Sequence, residues 1–251
     1  MSEDLSGRVV VVTGGTRGVG RGIASSFARA GATVVVCGRS APDSLPDGVA
    51  GFIACDVRDA EAVAAMVGEV VGRHRRVDVA VNNAGGSPPV EAATASPRFS
   101  EAIIRLNLMG ALHVATAANR VMQSQPEGGT VINICSLSAL RPSPNTAAYG
   151  AAKAGLLSLT QSLAMEWAPK VRVNAVTPGP VRTEQSALFY GDEAGIARVG
   201  STIPAGRLAE PRDVGEACVL LCSPAAAYIT GANLLVHGGG ERPPYIDAAN
   251  G

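Results

Sequence analysis

Short runs of β-branched and apolar residues alternate along the chain with longer stretches in which apolar residues recur every three or four positions. The short runs lack polar alternation, as expected when helices cover both faces of a parallel sheet. The predicted strands are Val9–Thr13, Thr33–Cys37, Gly51–Cys55, Val77–Val81, Thr130–Cys135, Arg172–Val176 and Asn233–Val236. The predicted helices are about Gly18–Ala30, Ala60–Arg73, Phe99–Met122, Ala147–Trp167 and Arg212–Cys222. This alternation predicts an α/β, doubly wound fold with seven parallel strands.

The stretch from Thr183 to Gly206 breaks this rhythm. It contains three glycines before its end and the apolar trio Leu188-Phe189-Tyr190, and no strand pattern runs through it. Long segments of this kind are usually functional loops or disordered ones. We expect residues 183–206 to form a substrate lid. The tail after Gly240, with Pro243-Pro244-Tyr245, carries no fold pattern, and both packing on a neighbouring subunit and a frayed end stay open.

Length and charge narrow the class of protein. A chain of 251 residues with 47% apolar residues is predicted to form one α/β domain over residues 1–251. Its formal net charge of zero favours neither a nucleic-acid partner nor a membrane-surface partner. No apolar stretch approaches the ~20 residues of a membrane-spanning helix. The acidic start of the chain, before the first strand, is unlike a secretory signal, so we expect a cytoplasmic protein.

The cysteines and histidines suggest no metal site. The five cysteines are an odd number and mostly fall within apolar runs: Cys37, Cys55, Cys135, Cys218 and Cys222. The three histidines are scattered along the chain: His74, His113 and His237. Buried free thiols in a reducing compartment are the expected state of these cysteines.

The pair Tyr149 and Lys153 is the strongest indication of chemistry. Residues four apart lie on one face of a helix, so the ammonium would lie beside the phenol. A phenol has an ordinary pKa of about 10, and a nearby positive charge favours its ionised form and suits it to proton transfer. Ser136 lies thirteen residues before the tyrosine, at the end of a predicted strand. This arrangement suits moving a proton on or off an alcohol oxygen.

A glycine-rich turn follows the first predicted strand, in the run Thr13-Gly14-Gly15-Thr16-Arg17-Gly18-Val19-Gly20. Glycines allow a tight turn and close approach to a pyrophosphate, and the following helix offers free N–H groups. The spacing differs from the G-x-G-x-x-G pattern of many dinucleotide sites. A dinucleotide site and a merely tight connection are therefore both open on this turn alone.

The end of the second strand bears on the choice of dinucleotide. The position twenty residues after Gly18, where a carboxylate would bind a ribose hydroxyl, holds Gly38, followed by Arg39. Arg17 adds a second cation nearby. Two arginines and no carboxylate suit a 2′-phosphate, so we predict that NADP(H) is preferred over NAD(H).

Together these motifs resemble those of the short-chain dehydrogenase/reductase family. The resemblance rests on Thr13-Gly14-x-x-x-Gly18-x-Gly20, Asn82-Asn83-Ala84-Gly85, Ser136, Tyr149-x-x-x-Lys153 and Pro178-Gly179, in the family's order and spacing. It covers nearly the whole chain and is closest to the single-domain type that includes β-ketoacyl reductases and hydroxysteroid dehydrogenases. It implies a Rossmann fold and an oxidoreductase that interconverts a secondary alcohol and a ketone.

The resemblance also implies catalytic roles. Tyr149 would be the general acid in reduction and the base in oxidation, and Lys153 would lower its pKa and bind the nicotinamide ribose. Ser136 would hold the substrate oxygen. Asn107, on the predicted central helix, would hold a water that links Lys153 to solvent. Ser138 is the competitor of Ser136 but lacks the spacing, and Cys135 has no base placed to make it a nucleophile.

The remaining contacts implied by the resemblance belong to the cofactor. Asp56 and Val57 would cradle the adenine, with Asp56 taking its exocyclic amine. The full predicted cofactor set is Gly14, Thr16, Arg17, Gly18, Val19, Gly20, Arg39, Asp56, Val57, Asn83, Ala84, Gly85, Tyr149, Lys153, Pro178, Gly179, Val181 and Thr183. Of these, Val181 and Thr183 would hold the carboxamide of the nicotinamide.

Two other functions stay open at this point. A β-ketoacyl-thioester reductase would need a basic patch, for which the candidates are Arg98, Arg105 and Arg141. A cofactor-binding regulatory protein without catalysis would not need the intact Ser136, Tyr149 and Lys153. The lid residues Leu188, Phe189, Tyr190 and Ile203 favour an apolar substrate, although they would equally suit a dimer contact. The resemblance further implies a homotetramer.

Overall fold

Seven parallel strands form one sheet in the computed structural model, which describes residues 3–243, 245, 248 and 249. The strands are β1 Val9–Thr13, β2 Thr33–Gly38, β3 Gly51–Ala54, β4 Val79–Asn82, β5 Gly129–Ile134, β6 Val171–Pro178 and β7 Asn233–Val236. Their order across the sheet is β3-β2-β1-β4-β5-β6-β7, and every neighbouring pair is parallel. The strand order reverses between β1 and β4. The predicted doubly wound Rossmann fold is thus confirmed.

Helices cover both faces of this sheet. They are α1 Gly18–Arg29, α2 Ala60–His74, α3 Pro97–Ile104, α4 Gly110–Ser124, α5 Ala147–Trp167, α6 Ala187–Tyr190, α7 Glu193–Ser201 and α8 Pro211–Cys222. Val10 and Val12 of β1 face a core shared with α1 and α8. Val9 and Val11 face the opposite core, shared with α2, α4 and α5. Because both faces are buried, β1 carries no polar alternation.

The fourth strand is shorter than predicted at its start. The sequence pattern places its beginning at Val77, whereas β4 begins at Val79. The backbone N–H of Val77 donates instead to the side-chain oxygen of Gln125, at 2.9 Å. The buried carboxylate of Asp78 accepts from the N–H of Val9 and pairs with Arg76. The Gln125 side chain thus takes the place of a sheet partner for Val77, whereas the backbone of Asp78 still bonds to Val9 and Thr130.

The predicted central helix Phe99–Met122 is a longer and irregular element. It begins at Pro97, after Ser96 accepts a hydrogen bond from the N–H of Phe99. Between α3 and α4 lies one turn of π-helix, Arg105–Met109. Inserted turns of this kind often mark functional sites. The π turn contains Asn107, whose buried side chain bonds to the carbonyl of Ile103 at 3.0 Å.

The predicted lid is folded rather than irregular. It contains the short helix α6 and the longer α7, which Asp192 caps by accepting from the N–H of Gly195 at 2.8 Å. Ile196 and Ile203 of the lid form a small buried cluster with Leu208, which follows the lid. Ile203 therefore stabilises the lid internally and does not line the cleft described below, unlike the prediction for it.

The segment that follows β7 contacts the segment that follows β5. Glu241 forms an ion pair with Arg141, and the guanidinium of Arg141 donates to Glu241 Oε1 at 2.6 Å. The prediction for the tail concerns in part Pro244, which lies outside the described residues. None of the helices that the structure describes is both long and apolar enough to cross a lipid bilayer.

Candidate active site

A cleft of about 630 Å³ opens at the carboxyl edge of the sheet, where ligands of open α/β folds bind. All eighteen residues of the predicted cofactor set, which include Tyr149 and Lys153, line it, as does Ser136. Asn107 is the one predicted site residue that does not line it. The structure therefore brings together residues that lie up to 169 positions apart in the sequence, from Gly14 to Thr183.

The glycine-rich turn allows the chain to pass closely under this cleft. Gly18 begins α1 with a φ of +52°, a conformation that side chains disfavour. At Gly20 a Cβ atom would lie 2.1 Å from the carbonyl oxygen of Gly14, so only glycine fits there. Asn83, after β4, donates from its side chain to the carbonyl of Thr13 at 2.9 Å. The turn after β1 is thus tied to the end of β4, across the point where the strand order reverses.

The first turn of α1 forms a hydrogen bond with a carboxylate of the protein itself. Arg17 precedes the helix and supplies no side-chain cap. The N–H of Gly18 instead donates to the carboxylate of Glu184, at 3.0 Å. Helix N-termini attract phosphates for the same reason, because they combine unpaired N–H groups with a positive dipole end. The turn therefore fits the diphosphate of a dinucleotide.

Cations line the far end of the cleft, beyond β2. The guanidinium groups of Arg17 and Arg39 form no hydrogen bond or ion pair with any residue that the structure describes. A third cation, Arg58, escaped the sequence analysis. It binds both carboxylate oxygens of Asp56, with Nε at 2.9 Å from Oδ1, and this pairing holds the pKa of Asp56 below its ordinary value. The sequence Asp56-Val57-Arg58 places an acidic and a basic residue two positions apart, and this spacing could have indicated that Arg58 belongs to the site.

The three groups for proton transfer meet above β5. Ser136 follows β5 and caps a short 3₁₀ turn, Leu137–Ala139. Tyr149 and Lys153 lie one turn apart in α5, and Lys153 Nζ is 5.7 Å from the centre of the Tyr149 ring. The buried ammonium donates to the carbonyl of Ile134, the last residue of β5, at 2.7 Å. This bond fixes α5 against the strand that carries Ser136.

Burial is the main cause of the pKa shifts of Tyr149 and Lys153. It raises the pKa of the Tyr149 phenol above its ordinary value, and the Ser136 side chain acts in the opposite direction. Burial also lowers the pKa of the Lys153 ammonium. The expectation that Lys153 lowers the pKa of Tyr149 is therefore not what the protein alone exhibits. In this state the phenol holds its proton near neutral pH.

Asn107 supports the wall of the cleft from behind. Its Oδ1 accepts from the N–H of Gly86 at 2.8 Å, and its Nδ2 donates to the carbonyl of Gly86 at 3.0 Å. A Cβ atom at Gly85 would lie 2.6 Å from Asn107 Oδ1 and 3.4 Å from Lys153 Nζ. Asn107 and Lys153 are therefore neighbours across Gly85, as the predicted water-mediated link would need.

The two rival residues of the sequence analysis, Ser138 and Cys135, are poorly suited to the chemistry. The Ser138 hydroxyl accepts from Ser143 at 3.0 Å, within a chain of hydroxyls, and does not line the cleft. Cys135 does line the cleft, but burial raises the pKa of its thiol to about 11, which leaves it a poor nucleophile. Within the lid, Phe189 and Tyr190 line the cleft, whereas Leu188 faces away with 77% of its surface exposed.

The cysteines are free, as predicted. Four are buried and Cys222 is half-buried. In the part of the chain that the structure describes, no three side chains of His, Cys, Asp or Glu come together as metal ligands.

Comparison with known proteins agrees with this fold and site. A family model described as Enoyl-(Acyl carrier protein) reductase matches residues 14–241. L-rhamnose 1-dehydrogenase (NAD(P)(+)) of Azotobacter vinelandii is 38% identical over 94% of this chain and 97% of its own length. 3beta-hydroxysteroid dehydrogenase 1 of Eggerthella lenta is 34% identical over 95% of each chain. The ligand-free structure of Thermoplasma acidophilum aldohexose dehydrogenase superimposes with a TM-score of 0.87, at 30% identity over 94% of each chain.

These similarities define the class of protein. The chain belongs to the short-chain dehydrogenase/reductase family. It is an oxidoreductase of the alcohol/ketone type, and the cofactor of its family is a nicotinamide dinucleotide. The relatives themselves act on sugars and on steroids, so the similarity leaves the substrate open.

Proposed function

We propose that the protein interconverts a secondary alcohol and a ketone with NADP(H) as its preferred cofactor and Tyr149 as general acid and base. The observation that carries this proposal is the meeting of Tyr149, Lys153 and Ser136 on a cleft that also holds the glycine turn and two unpaired arginines. A cofactor-binding protein without catalysis would not need Tyr149, Lys153 and Ser136 to lie together on the cleft. The intact group therefore favours an enzyme over a regulatory protein.

The protein's part in the reaction is to hold the substrate oxygen and move a proton. In reduction, the Tyr149 phenol donates its proton to the carbonyl oxygen, while the Ser136 hydroxyl stabilises the charge that develops there. The raised pKa of the Tyr149 phenol keeps that proton available at neutral pH. In oxidation, the phenolate takes the proton back from the alcohol. The nicotinamide, when bound, supplies or accepts the hydride.

Lys153 and Asn107 serve this proton transfer from behind. The Lys153 ammonium is anchored on Ile134 and lies beside the Tyr149 ring, where its charge favours the phenolate that oxidation requires. Asn107 holds Gly86 on both its N–H and its carbonyl, which keeps the strand-end loop next to Lys153 in place. We expect Asn107 to position the site and the proposed water link.

The preference for NADP(H) is supported by Arg17 and Arg39. Guanidinium groups bind phosphate through paired hydrogen bonds, and neither of these two forms a hydrogen bond or ion pair with another described residue. Gly38, at the end of β2, leaves no carboxylate to bind the ribose hydroxyl that NAD(H) offers.

An apolar substrate stays our first expectation. Phe189 presents a ring to the cleft and is 57% exposed, which suits contact with an apolar molecule. The thioester alternative is weaker, because Arg141 is paired with Glu241 and adds little to a basic patch. Sugars belong among the candidates as well, since two similar proteins are a rhamnose and an aldohexose dehydrogenase.

We also expect a homotetramer in a cytoplasmic setting. Large apolar side chains are exposed around α8 and β7, namely Leu220, Tyr228, Ile229 and Leu235. Met165 of α5 is 86% exposed. Such surfaces suit subunit contacts. The unpaired cysteines suit a reducing compartment. Light scattering of the purified protein, compared with Tyr228→Asp and Met165→Asp variants, would give the number of subunits and the surfaces that join them.

Nicotinamide absorbance during turnover tests the proposed function. NADPH and NADH would each be offered with ketones, steroids, β-ketoacyl thioesters and, in the oxidative direction, aldoses. Turnover of one class that disappears in Tyr149→Phe would establish the activity and its substrate class. Turnover that persists fully in Tyr149→Phe would remove Tyr149 from its proposed role. A protein that binds neither nucleotide would overturn the proposed function.

A further inference from the structure

The proposed cofactor cleft contains a carboxylate that the family motifs do not account for. Glu184 lies 166 positions after Gly18, yet its Oε1 accepts the hydrogen bond of the Gly18 N–H at 3.0 Å. A Cβ atom placed on Gly18 would have Thr183 and Glu184 as its nearest neighbours, at 3.7 and 3.8 Å. The lid therefore reaches the first turn of α1 through these two residues.

The backbone around Glu184 is held firmly enough to aim it. The N–H of Thr183 donates to the Ser186 hydroxyl at 2.8 Å, and Ser186 is buried. The N–H of Arg182 donates to the carbonyl of Ala209 at 2.8 Å. Glu184 thus projects from a hydrogen-bonded turn whose far side is fixed to the chain before α8.

A diphosphate and this carboxylate require the same place. Both are anions, and both use the unpaired N–H groups and positive dipole end of α1. They cannot share the Gly18 N–H at hydrogen-bond distance without strong repulsion between like charges. We propose that Glu184 is an internal competitor of the cofactor's diphosphate, which lowers the protein's affinity for the cofactor and holds the lid on α1 until the cofactor displaces it. This inference rests on the proposed cofactor site.

A neighbouring cavity can accommodate the Glu184 carboxylate after the cofactor displaces it. A second cavity of about 680 Å³ lies beside Glu184, between α1 and the lid, and it is lined by Arg21 and Arg182. Arg182 is already paired with Glu193. The Arg21 guanidinium forms no hydrogen bond or ion pair with another described residue. Arg21 is therefore the cation that can receive Glu184 once a diphosphate takes the Gly18 N–H.

Release of Glu184 also affects the substrate side of the cleft. Phe189 and Tyr190, which line the cleft, follow Glu184 within six positions on the same segment. Loss of the Gly18 contact therefore frees the part of the lid that faces the substrate. The same carboxylate would link the presence of cofactor to the position of the lid.

The experiment measures nucleotide affinity and the stability of the free protein in the same variants. Isothermal titration calorimetry would be run with NADPH and NADH on the wild type, Glu184→Gln and Glu184→Ala. Glu101→Gln is the control for overall charge, because Glu101 is an exposed carboxylate of α3 that lines neither cavity. We expect Glu184→Gln to bind the preferred nucleotide about three- to ten-fold more tightly, and Glu101→Gln to bind as the wild type does.

The Tm of the ligand-free Glu184 variants shows whether Glu184 competes with the cofactor or only stabilises the fold. Glu184→Ala removes a cap from α1, so its ligand-free Tm should fall below that of the wild type even though it binds nucleotide more tightly. Weaker or unchanged binding in both Glu184 variants would overturn the inference while leaving the cofactor site standing. Equal tightening in Glu101→Gln would overturn it too, because the effect would then be one of overall charge. Failure of the wild type to bind either nucleotide would overturn the proposed function and this inference with it.

Discussion

The ammonium of Lys153 donates a 2.7 Å hydrogen bond to the carbonyl oxygen of Ile134. The donor belongs to α5 and the acceptor ends β5, two positions before Ser136. One buried bond therefore joins the helix that carries Tyr149 to the strand end that carries the serine. No carboxylate of the described residues pairs with this buried charge, and burial lowers the pKa of Lys153. A charge kept under such conditions is expected to serve function rather than stability.

This expectation can be tested with Lys153→Met. The folded protein binds the Lys153 proton less readily than the unfolded chain does, so the wild type gains stability as the pH rises toward the ordinary lysine pKa of about 10.4. We expect Lys153→Met to lose turnover while the stability gap between it and the wild type shifts in favour of the wild type over that pH range. Urea unfolding at a series of pH values measures this gap.

Lys170→Met is the matched control for this series. Lys170 also donates to a backbone carbonyl, that of Gln125 at 2.8 Å, but it is exposed. Lys170→Met should leave turnover intact, because Lys170 does not line the cleft. A stability gap for Lys153→Met that does not change with pH would contradict the role given to burial.

Local periodicity was sufficient to predict most of the fold and the centre of the site. Tyr149 and Lys153 were placed on one helix face because they are four apart, and α5 has the bounds Ala147–Trp167 that its pattern indicated. Ser136 was placed by its position at a strand end. The contacts that were missed join distant residues. Glu184 on Gly18 spans 166 positions, and the π turn at Asn107 depends on Gly86, 21 positions away. No local spacing encodes such contacts.

Ser136 is expected to tune the acidity of Tyr149. Burial raises the pKa of the Tyr149 phenol and the Ser136 side chain opposes it, so Ser136→Ala should raise that pKa further. Reduction needs the protonated phenol. The kcat/KM for reduction should therefore fall only as the pH rises above about 10, and at a higher pH in Ser136→Ala than in the wild type.

Phenolate absorbance, taken as the difference from Tyr149→Phe, measures this titration directly. Ser138→Ala is the control, because its hydroxyl bonds to Ser143 and does not line the cleft. A titration of Tyr149 that moves to lower pH in Ser136→Ala would contradict the assigned direction.

Arg39 is expected to select the phosphorylated cofactor. Arg39→Asp replaces a cation of the cleft with a carboxylate, which repels a 2′-phosphate but can accept hydrogen bonds from a ribose hydroxyl. Affinity for NADPH should fall by about 100-fold or more, roughly 2.7 kcal/mol, while affinity for NADH changes little or improves. Fluorescence titration with both nucleotides measures the two constants. Arg120→Asp, on the exposed side of α4, should leave both unchanged. Equal losses for NADPH and NADH would refute the selection.

Asn107 is expected to act as a positioning residue. Asn107→Ala leaves the N–H and carbonyl of Gly86 without their partner inside the protein, which should lower the free energy of unfolding by about 2–3 kcal/mol. Because Gly86 lies next to the cleft, kcat should fall more than KM rises. The control is Asn119→Ala, whose half-buried side chain accepts a hydrogen bond from Gln123 and does not line the cleft. Stability lost without any change in kcat would reduce Asn107 to a structural residue.

The two helices α1 and α2 offer a matched pair of glycines that separates a required glycine from a dispensable one. At Gly20 a Cβ atom would lie 2.1 Å from the Gly14 carbonyl oxygen and 2.4 Å from the Asn83 side chain, so Gly20→Ala must displace the turn under the cleft. We expect it to lower the free energy of unfolding by about 1–3 kcal/mol and to weaken nucleotide binding. At Gly68, exposed within α2, a Cβ atom would meet nothing within 4 Å.

Gly68→Ala should therefore raise the free energy of unfolding by about 0.5–1 kcal/mol, since alanine restricts the unfolded chain and favours the helix. Urea unfolding and calorimetric titration with nucleotide measure both variants. Opposite signs in stability, with binding lost only in Gly20→Ala, are the expected result. If Gly20→Ala binds nucleotide as tightly as the wild type, the turn after β1 does not approach the cofactor as closely as proposed, because a displaced turn could not then be part of the binding surface.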